Sequence, residues 1–355
     1  MKRFNKLFLA VIVSSAFFVS CSSDDDNTQT EEPRGDYEGG LFIVNEGGFE
    51  KENGTISYLS ADLQIENNVF ALVNPGKITN DVIQCIGFNG DFAYLVVNVS
   101  NKIEVVNRYT FKSVATITGS LKNPRYIAFA NGKGYVTNWG DGVSATDDYV
   151  GVLDLTSNTI TSKITVAEGP EKIIENDGKL YVAHKGGWNQ GNSLTVINAA
   201  NNTVVTNFVV GDVPGALVKD NGTLYVLCEG RPSYAEETAG KLVKVSLSSN
   251  TVTSTINFEG LTHPGFLDIE NSKLYYTIDT NIYSAATSTT TLPATPIFEA
   301  EDVISLYGFA VKNNKIYVAD KVNNQDNGDI YIYSLTGTRE KDFNVGIFPN
   351  GFYFN

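Results

Sequence analysis

A tight-turn dipeptide followed by a tyrosine-centred apolar run recurs along this chain, and its spacing limits the possible folds more than any other feature. The turns are Asn89-Gly90, Asn131-Gly132, Asp177-Gly178, Asn221-Gly222, Asn271-Ser272 and Asn313-Asn314, their first residues 42, 46, 44, 50 and 42 positions apart. Asn-Gly and Asp-Gly supply the positive φ values that a two-residue hairpin needs. Each turn leads into a strand with an aromatic near its start: Tyr94, Tyr135, Tyr181, Tyr225, Tyr275 and Tyr317. Phe42, in Leu41-Phe42-Ile43-Val44-Asn45, takes that place a seventh time without a hairpin before it.

Two further markers keep the same period. Pro124, Pro170, Pro214, Pro264 and Pro349 each precede a short apolar run, and proline is tolerated where a strand begins because no ladder hydrogen bond is required there. Late turns at Ser157-Asn158, Asn201-Asn202 and Ser249-Asn250 open alternating Thr/Val runs such as Thr159 to Ile164. Period-two alternation reads as strand, and no helical stripe longer than a turn is present. Four strands per repeat at this period define a propeller blade; a parallel β-helix repeats faster and a sandwich does not repeat at all. In the third repeat the strands fall at Tyr126 to Phe129, Gly134 to Asn138, Tyr149 to Leu155 and Thr159 to Val166.

The expectation is therefore an all-β, seven-bladed β-propeller with four antiparallel strands per blade over residues 39–355. The chain enters at the second strand of blade 1. Its last residues, Pro349-Asn350-Gly351-Phe352-Tyr353-Phe354-Asn355, match the proline-then-inner-strand unit with nothing following. That C-terminal strand should close blade 1 and remove an open sheet edge.

The first twenty residues read as a signal segment. Lys2, Arg3 and Lys6 precede an apolar stretch, Leu7 to Val19, too short to span a bilayer comfortably. Phe18-Val19-Ser20-Cys21 resembles a bacterial lipobox, with Phe18 departing from the usual Leu, and implies cleavage before Cys21 and lipidation of its thiol. Residues 21–38 then form an acidic tether around Asp24-Asp25-Asp26, Glu31 and Glu32, with too little apolar surface at its start to order itself. An Asp-rich run directly after the lipid cysteine resembles the Bacteroidetes lipoprotein export signal and implies an outer-membrane protein facing the cell exterior. Cleavage would remove three basic residues and no acid from a formal net charge of −14, leaving −17. That acidity argues against nucleic acid or an anionic lipid surface as partner, so the membrane is met only through the anchor. Cys85 and Cys228 fall in strands of different blades and should be buried thiols, not a disulfide framework.

Tyr135-Val136-Thr137-Asn138 spells the motif of the YVTN propellers, with variants at Lys179-Leu180-Tyr181-Val182 and Lys315-Ile316-Tyr317-Val318. That motif implies a blade and no particular ligand. The order Gly40 to Gly47, Asn53 to Tyr58, Asn80 to Gln84, Ser100 to Val106 and Asn123-Pro124-Arg125-Tyr126 is similar to that of the BtuG-type surface lipoproteins of Bacteroidetes. The resemblance covers essentially the whole mature chain. It implies capture of cobalamin or a related cobamide and delivery to a TonB-dependent outer-membrane transporter.

The long loops all leave one face of such a propeller: Asn45 to Asn53, Asn138 to Asp148, His184 to Asn192, Glu229 to Gly240 and Asp320 to Gly328. They carry both tryptophans, Trp139 and Trp188, with Phe49, Arg231 and Tyr234, residue types that equip binding surfaces and also pack loops upon themselves. Asn45, Glu46, Glu229 and Asp320 begin these loops, and Gln84, Arg125 and Glu171 stand at blade junctions around the channel mouth. His184 and His263 map to the same face; under the resemblance either would meet the cobalt or phosphate of a cobamide, and both also suit ordinary loop roles. These residues form the expected ligand site, with no catalytic residue, resident cofactor or metal assigned. Glu46, Asp141 and Asp320 lack the Asp-x-Asp-x-Asp-Gly spacing of a calcium loop. Other readings remain open: capture of another transporter substrate such as a siderophore or haem, an adhesin, or a propeller enzyme of quinone-dependent dehydrogenase, lyase or lactonase type. No nucleophile elbow, His/Cys metal spacing or phosphate-cradling glycine loop speaks for the enzyme.

Overall fold

The computed structural model describes residues 34–355 except 78 and 80. Cys21, the signal segment and the Asp-rich run lie outside the described residues.

Seven four-stranded antiparallel sheets follow one another along the chain. Blade 3 consists of Pro124–Ala130, Lys133–Asn138, Tyr149–Asp154 and Thr159–Thr165. The prolines at 124, 170, 214, 264 and 349 each open an inner strand. Within each hairpin the turn residues adopt left-handed φ, as at Asn131 and Gly132 (49° and 71°) and Asp177 and Gly178 (49° and 74°). The blade 2 hairpin is the exception. Its inner strand runs through Asn89, so the turn falls one residue later than the Asn-Gly pattern predicts, at Gly90-Asp91.

Blade 1 closes as the sequence predicts. Pro349–Phe354 pairs antiparallel with Leu41–Asn45, setting Phe352 opposite Ile43 and Phe354 opposite Leu41. Asn355 then latches the junction: its backbone N–H donates to the Gly40 carbonyl (2.8 Å), its Nδ2 to the carbonyls of Tyr37 and Arg108, and its Oδ1 accepts from Arg108 Nε (2.6 Å). The folded part reaches back a few residues beyond Gly39, because Tyr37 is buried edge-on against Tyr58 and Phe111. A short helix, Val69–Val73, buries Val69 and Phe70 after the two-residue outer strand of blade 1.

The repeated tyrosine has a visible purpose. Tyr135 OH donates to the Ala199 carbonyl and contacts Asn202 Oδ1 (2.9 Å each), while Tyr181 OH reaches the Leu247 carbonyl and Asn250 Oδ1 (3.0 and 2.8 Å). Each is rooted in one blade and satisfies the late Asn turn of the next, which ties the two recurring markers to a single inter-blade contact. Cys85 and Cys228 are buried free thiols, and burial pushes both up to about 12, away from reactivity.

Candidate functional site: an aromatic cleft over the channel mouth

Residues at two repeated positions build the site. The first is the second residue of each inner strand, aimed at the channel: Asn350, Gln84, Arg125, Glu171, Gly215, Gly265 and Tyr307, from blades 1 to 7 in order. The second is the first loop residue after the second strand: Glu46, Asn98, Trp139, Lys185, Glu229 and Lys321 in blades 1 to 5 and 7. Its backbone N–H donates to the carbonyl just ahead of the same blade's inner strand, as from Glu46 to Phe348 (2.9 Å), Trp139 to Asn123 (3.1 Å) and Glu229 to Val213 (2.8 Å). Several of those accepting residues sit in the left-handed region, including Val82 (49°), Val213 (56°) and Phe348 (54°). Such φ values are uncommon for branched and aromatic side chains. The fold holds them there, and the loop residues above are fixed as a result.

A cavity of about 600 Å³ opens among these residues on the loop face, walled by Trp139, Trp188, Phe49, Val143 and Phe348 and floored by Arg125, Gln84, Tyr307 and Glu46. Trp139 and Trp188 meet edge to face with centroids 6.2 Å apart, and Trp188 remains 70% exposed. Gly142 makes their approach possible, since a Cβ there would collide with Trp188 Nε1. Beneath them the Arg125 guanidinium lies 4.1 Å from the Trp139 ring and makes two 2.9 Å hydrogen bonds to Glu171. Burial works against both charges, but their attraction outweighs it: Glu171 is held below the usual carboxylate range and Arg125 above its ordinary value. Lys185, paired with Glu229 at 2.8 Å, is likewise raised against the pull of burial.

Glu46 takes a different course. It accepts from Asn350 Nδ2 (2.7 Å) and Tyr307 OH (2.8 Å), yet burial still lifts its carboxyl above the ordinary value. Below the mouth a second cavity, of about 500 Å³, continues into the channel past Lys172, Phe266 and Tyr353. A third, of about 430 Å³, lies beyond Trp188 against Tyr234, Pro232 and His263. Shared walls at Trp188, Arg125, Lys185 and Glu229 make the three adjacent compartments of one face.

Of the residues singled out from sequence, Glu46, Phe49, Gln84, Arg125, Trp139, Glu171, Trp188, Glu229, Tyr234 and His263 line these compartments. His263 bridges the Glu229 carbonyl (2.8 Å) and Glu237 (3.1 Å); burial lowers its pKa, and these two partners raise it more. Arg231 turns aside to Asp212 and Glu236, both at 3.4 Å.

Asn45, His184 and Asp320 are not brought to the cleft. All three end second strands and are buried. Asn45 Nδ2 donates to Thr55 and Ser57, His184 Nε2 meets Thr195 Oγ1 at 2.7 Å, and Asp320 accepts the backbone N–H groups of Ile304, Ser305 and Val322. Burial depresses the His184 pKa to about 4, so its imidazole is neutral. Sequence reading missed Lys185, Tyr307, Asn350, Lys172 and Phe348. Aligning the repeats position by position, with Arg125 and Trp139 as anchors, would have found the first three. Among the described residues no group of three or more His, Cys, Asp and Glu could hold a metal ion.

The fold and this face define a seven-bladed β-propeller with a preformed, aromatic-walled cleft over its channel. The chain belongs to the family described as a domain of unknown function, DUF5074, whose profile matches residues 39–355. No curated protein is significantly similar in sequence. Solved propellers share the architecture. A quinonprotein alcohol dehydrogenase-like protein from Bacteroides thetaiotaomicron is 13% identical, with 90% of this chain and 78% of that one covered and a TM-score of 0.64. A functionally unknown protein from Desulfotomaculum acetoxidans is 13% identical over 88% and 97% at 0.63. BamB from Moraxella catarrhalis is 14% identical over 87% and 84% at 0.51. At such identities the likeness is one of fold alone.

Proposed function

We propose that this protein is a cell-surface lipoprotein that captures cobalamin or a related cobamide in the loop-face cleft and passes it to a TonB-dependent outer-membrane transporter. The observation that carries this reading is the convergence of the chain's two tryptophans on one cleft, above a buried Arg125–Glu171 pair. A cobamide is large and amphipathic, with a corrin rim of apolar groups and amides. Aromatic walls suit the former; Gln84, Asn98 and Asn123 on the lining suit the latter. Backbone-pinned side chains lower the ordering cost of binding so broad a ligand. The order of motifs from Gly40 to Tyr126 supports cobalamin over other transporter substrates.

Calorimetric titration with cyanocobalamin, with haem and a ferric siderophore in parallel, tests this. We expect saturable binding of cyanocobalamin at micromolar protein or below, and a Trp188→Ala loss of at least about tenfold, the scale of an interface anchor. Saturation by haem or the siderophore alone would move the ligand to that class, and no binding by any of the three would remove the capture reading.

A further inference from the structure

The ring of seven equivalent residues at the channel mouth is uneven. Blades 5 and 6 contribute Gly215 and Gly265 where the other five carry Gln, Arg, Glu, Tyr and Asn. The missing side chains open the mouth on one side, and Glu229 leans into the space: a Cβ at Gly215 would collide with its Oε1. Behind this notch lies the 500 Å³ channel cavity.

The pairing of its charges is also uneven. Arg125 is matched by Glu171 at 2.9 Å and Lys185 by Glu229 at 2.8 Å. Glu46, across the channel in blade 1, is occupied by Tyr307 and Asn350. Lys172, on the inner strand of blade 4 and lining the same cavity, has no such match. Its Nζ sits 3.8 Å from the centroid of the Tyr126 ring, and among the described residues no carboxylate lies within 4.0 Å of it. An ammonium on a ring face gains a modest attraction and keeps its other donors free for an incoming acceptor. In a chain of formal net charge −14, three cations and three carboxylates line this one cavity, so its wall is locally balanced, and Lys172 is the cation whose charge no contacting carboxylate takes up.

We infer that the channel cavity below the mouth is a subsite for an oxyanion, a phosphate or carboxylate group, received by Lys172 where it lies on the Tyr126 ring. The subsite deepens the capture reading, on which it rests for the case in which the anion is part of the ligand. The cleft would hold the bulk of the ligand and the channel cavity its acidic arm. A free anion is the other source of the same chemistry.

The test uses three probes on the purified protein and its Lys172→Gln variant: inorganic phosphate, cyanocobalamin, which carries a phosphodiester, and dicyanocobinamide, which lacks it. An anion carried by the ligand predicts that Lys172→Gln weakens cyanocobalamin at least tenfold while cobinamide changes less than twofold. A free anion predicts that wild type binds phosphate below about 10 mM, the weak range expected of a single charged pocket, and that the variant does not. Lys172→Arg should retain most of either response. Lys172→Met, which keeps the aliphatic stem against Tyr126, replaces the glutamine variant if that one melts early. Should cyanocobalamin fail to bind the wild type, the capture reading falls and the phosphate arm alone decides the subsite. The subsite is overturned if no bound probe responds to loss of the Lys172 charge.

Discussion

His184 shows how position within the repeat, more than residue type, decides what a side chain does. A histidine at the end of a second strand, on the loop face of a propeller, invites a ligand role. The same position holds Asn45 in blade 1, Asn138 in blade 3 and Asp320 in blade 7, all buried. The site is a structural anchor, and one residue further on the chain emerges at Glu46, Trp139 and Lys185. The burial of His184 has a thermodynamic consequence. Its pKa falls to about 4 in the folded protein, so the unfolded chain takes up a proton first as pH drops. The contribution of neutral His184 is complete above about 6.5 and is lost progressively towards pH 4. Asp148, which burial lifts to about 6, acts in the opposite sense: its contribution is complete below about 4 and is lost as pH rises through 6. His184→Asn, the residue that blades 1 and 3 already use, should therefore flatten the acid limb of a melting-temperature profile between pH 6.5 and 4. It should leave the alkaline side of that window nearly unchanged. A variant whose profile runs parallel to the wild type would show that the buried imidazole does not titrate in this range.

At the level of strands and blades, most of the architecture was legible because its determinants are local. Asn-Gly hairpins, prolines at inner-strand starts and period-two outer strands each encode one element, and their common spacing encodes the array. Even the closing strand could be placed, since Pro349 to Phe354 repeats a unit seen four times earlier. What stayed hidden depends on contacts between blades. The short helix Val69–Val73 has Asn68 at its N-cap, but that side chain makes no capping hydrogen bond, and the helix buries Val69 and Phe70. The Arg125–Glu171 pair joins residues 46 positions apart, and the two glycines at the mouth mean nothing until the blades are superposed. The closing strand makes the clearest prediction at this level. Removing Gly351 to Asn355 strips partners from Leu41 to Val44, exposes the blade 1 edge and deletes the Asn355 latch to Tyr37 and Arg108. The loss of a whole ladder with buried Phe352 should lower the melting temperature by more than about 10 °C, well beyond the effect of a typical single substitution. A truncated protein melting within a degree or two of the parent would contradict closure by this strand.

Considered as a whole molecule, the protein combines an acidic body with one aromatic face. In the proposed lipoprotein, an acidic segment between Cys21 and the propeller would serve to let that face meet a large solute and then a receptor. Cys21→Ser should release the chain from the membrane pellet into the soluble fraction. Replacing Asp24, Asp25 and Asp26 with Ala should keep it in the pellet but protect it from protease added to intact cells. Wild-type protein that is membrane-bound yet equally protected would place it on the inner leaflet and remove the surface-capture reading. The central claim, that the loop-face cleft receives the ligand, has a built-in reporter: Trp139 and Trp188 are the chain's only two tryptophans, and both line that cleft. Intrinsic fluorescence should be quenched saturably as cyanocobalamin is added, with the quenched amplitude falling in Trp188→Phe. Calorimetric binding without any saturable change in tryptophan emission would place the ligand elsewhere on the protein and contradict the cleft as its site.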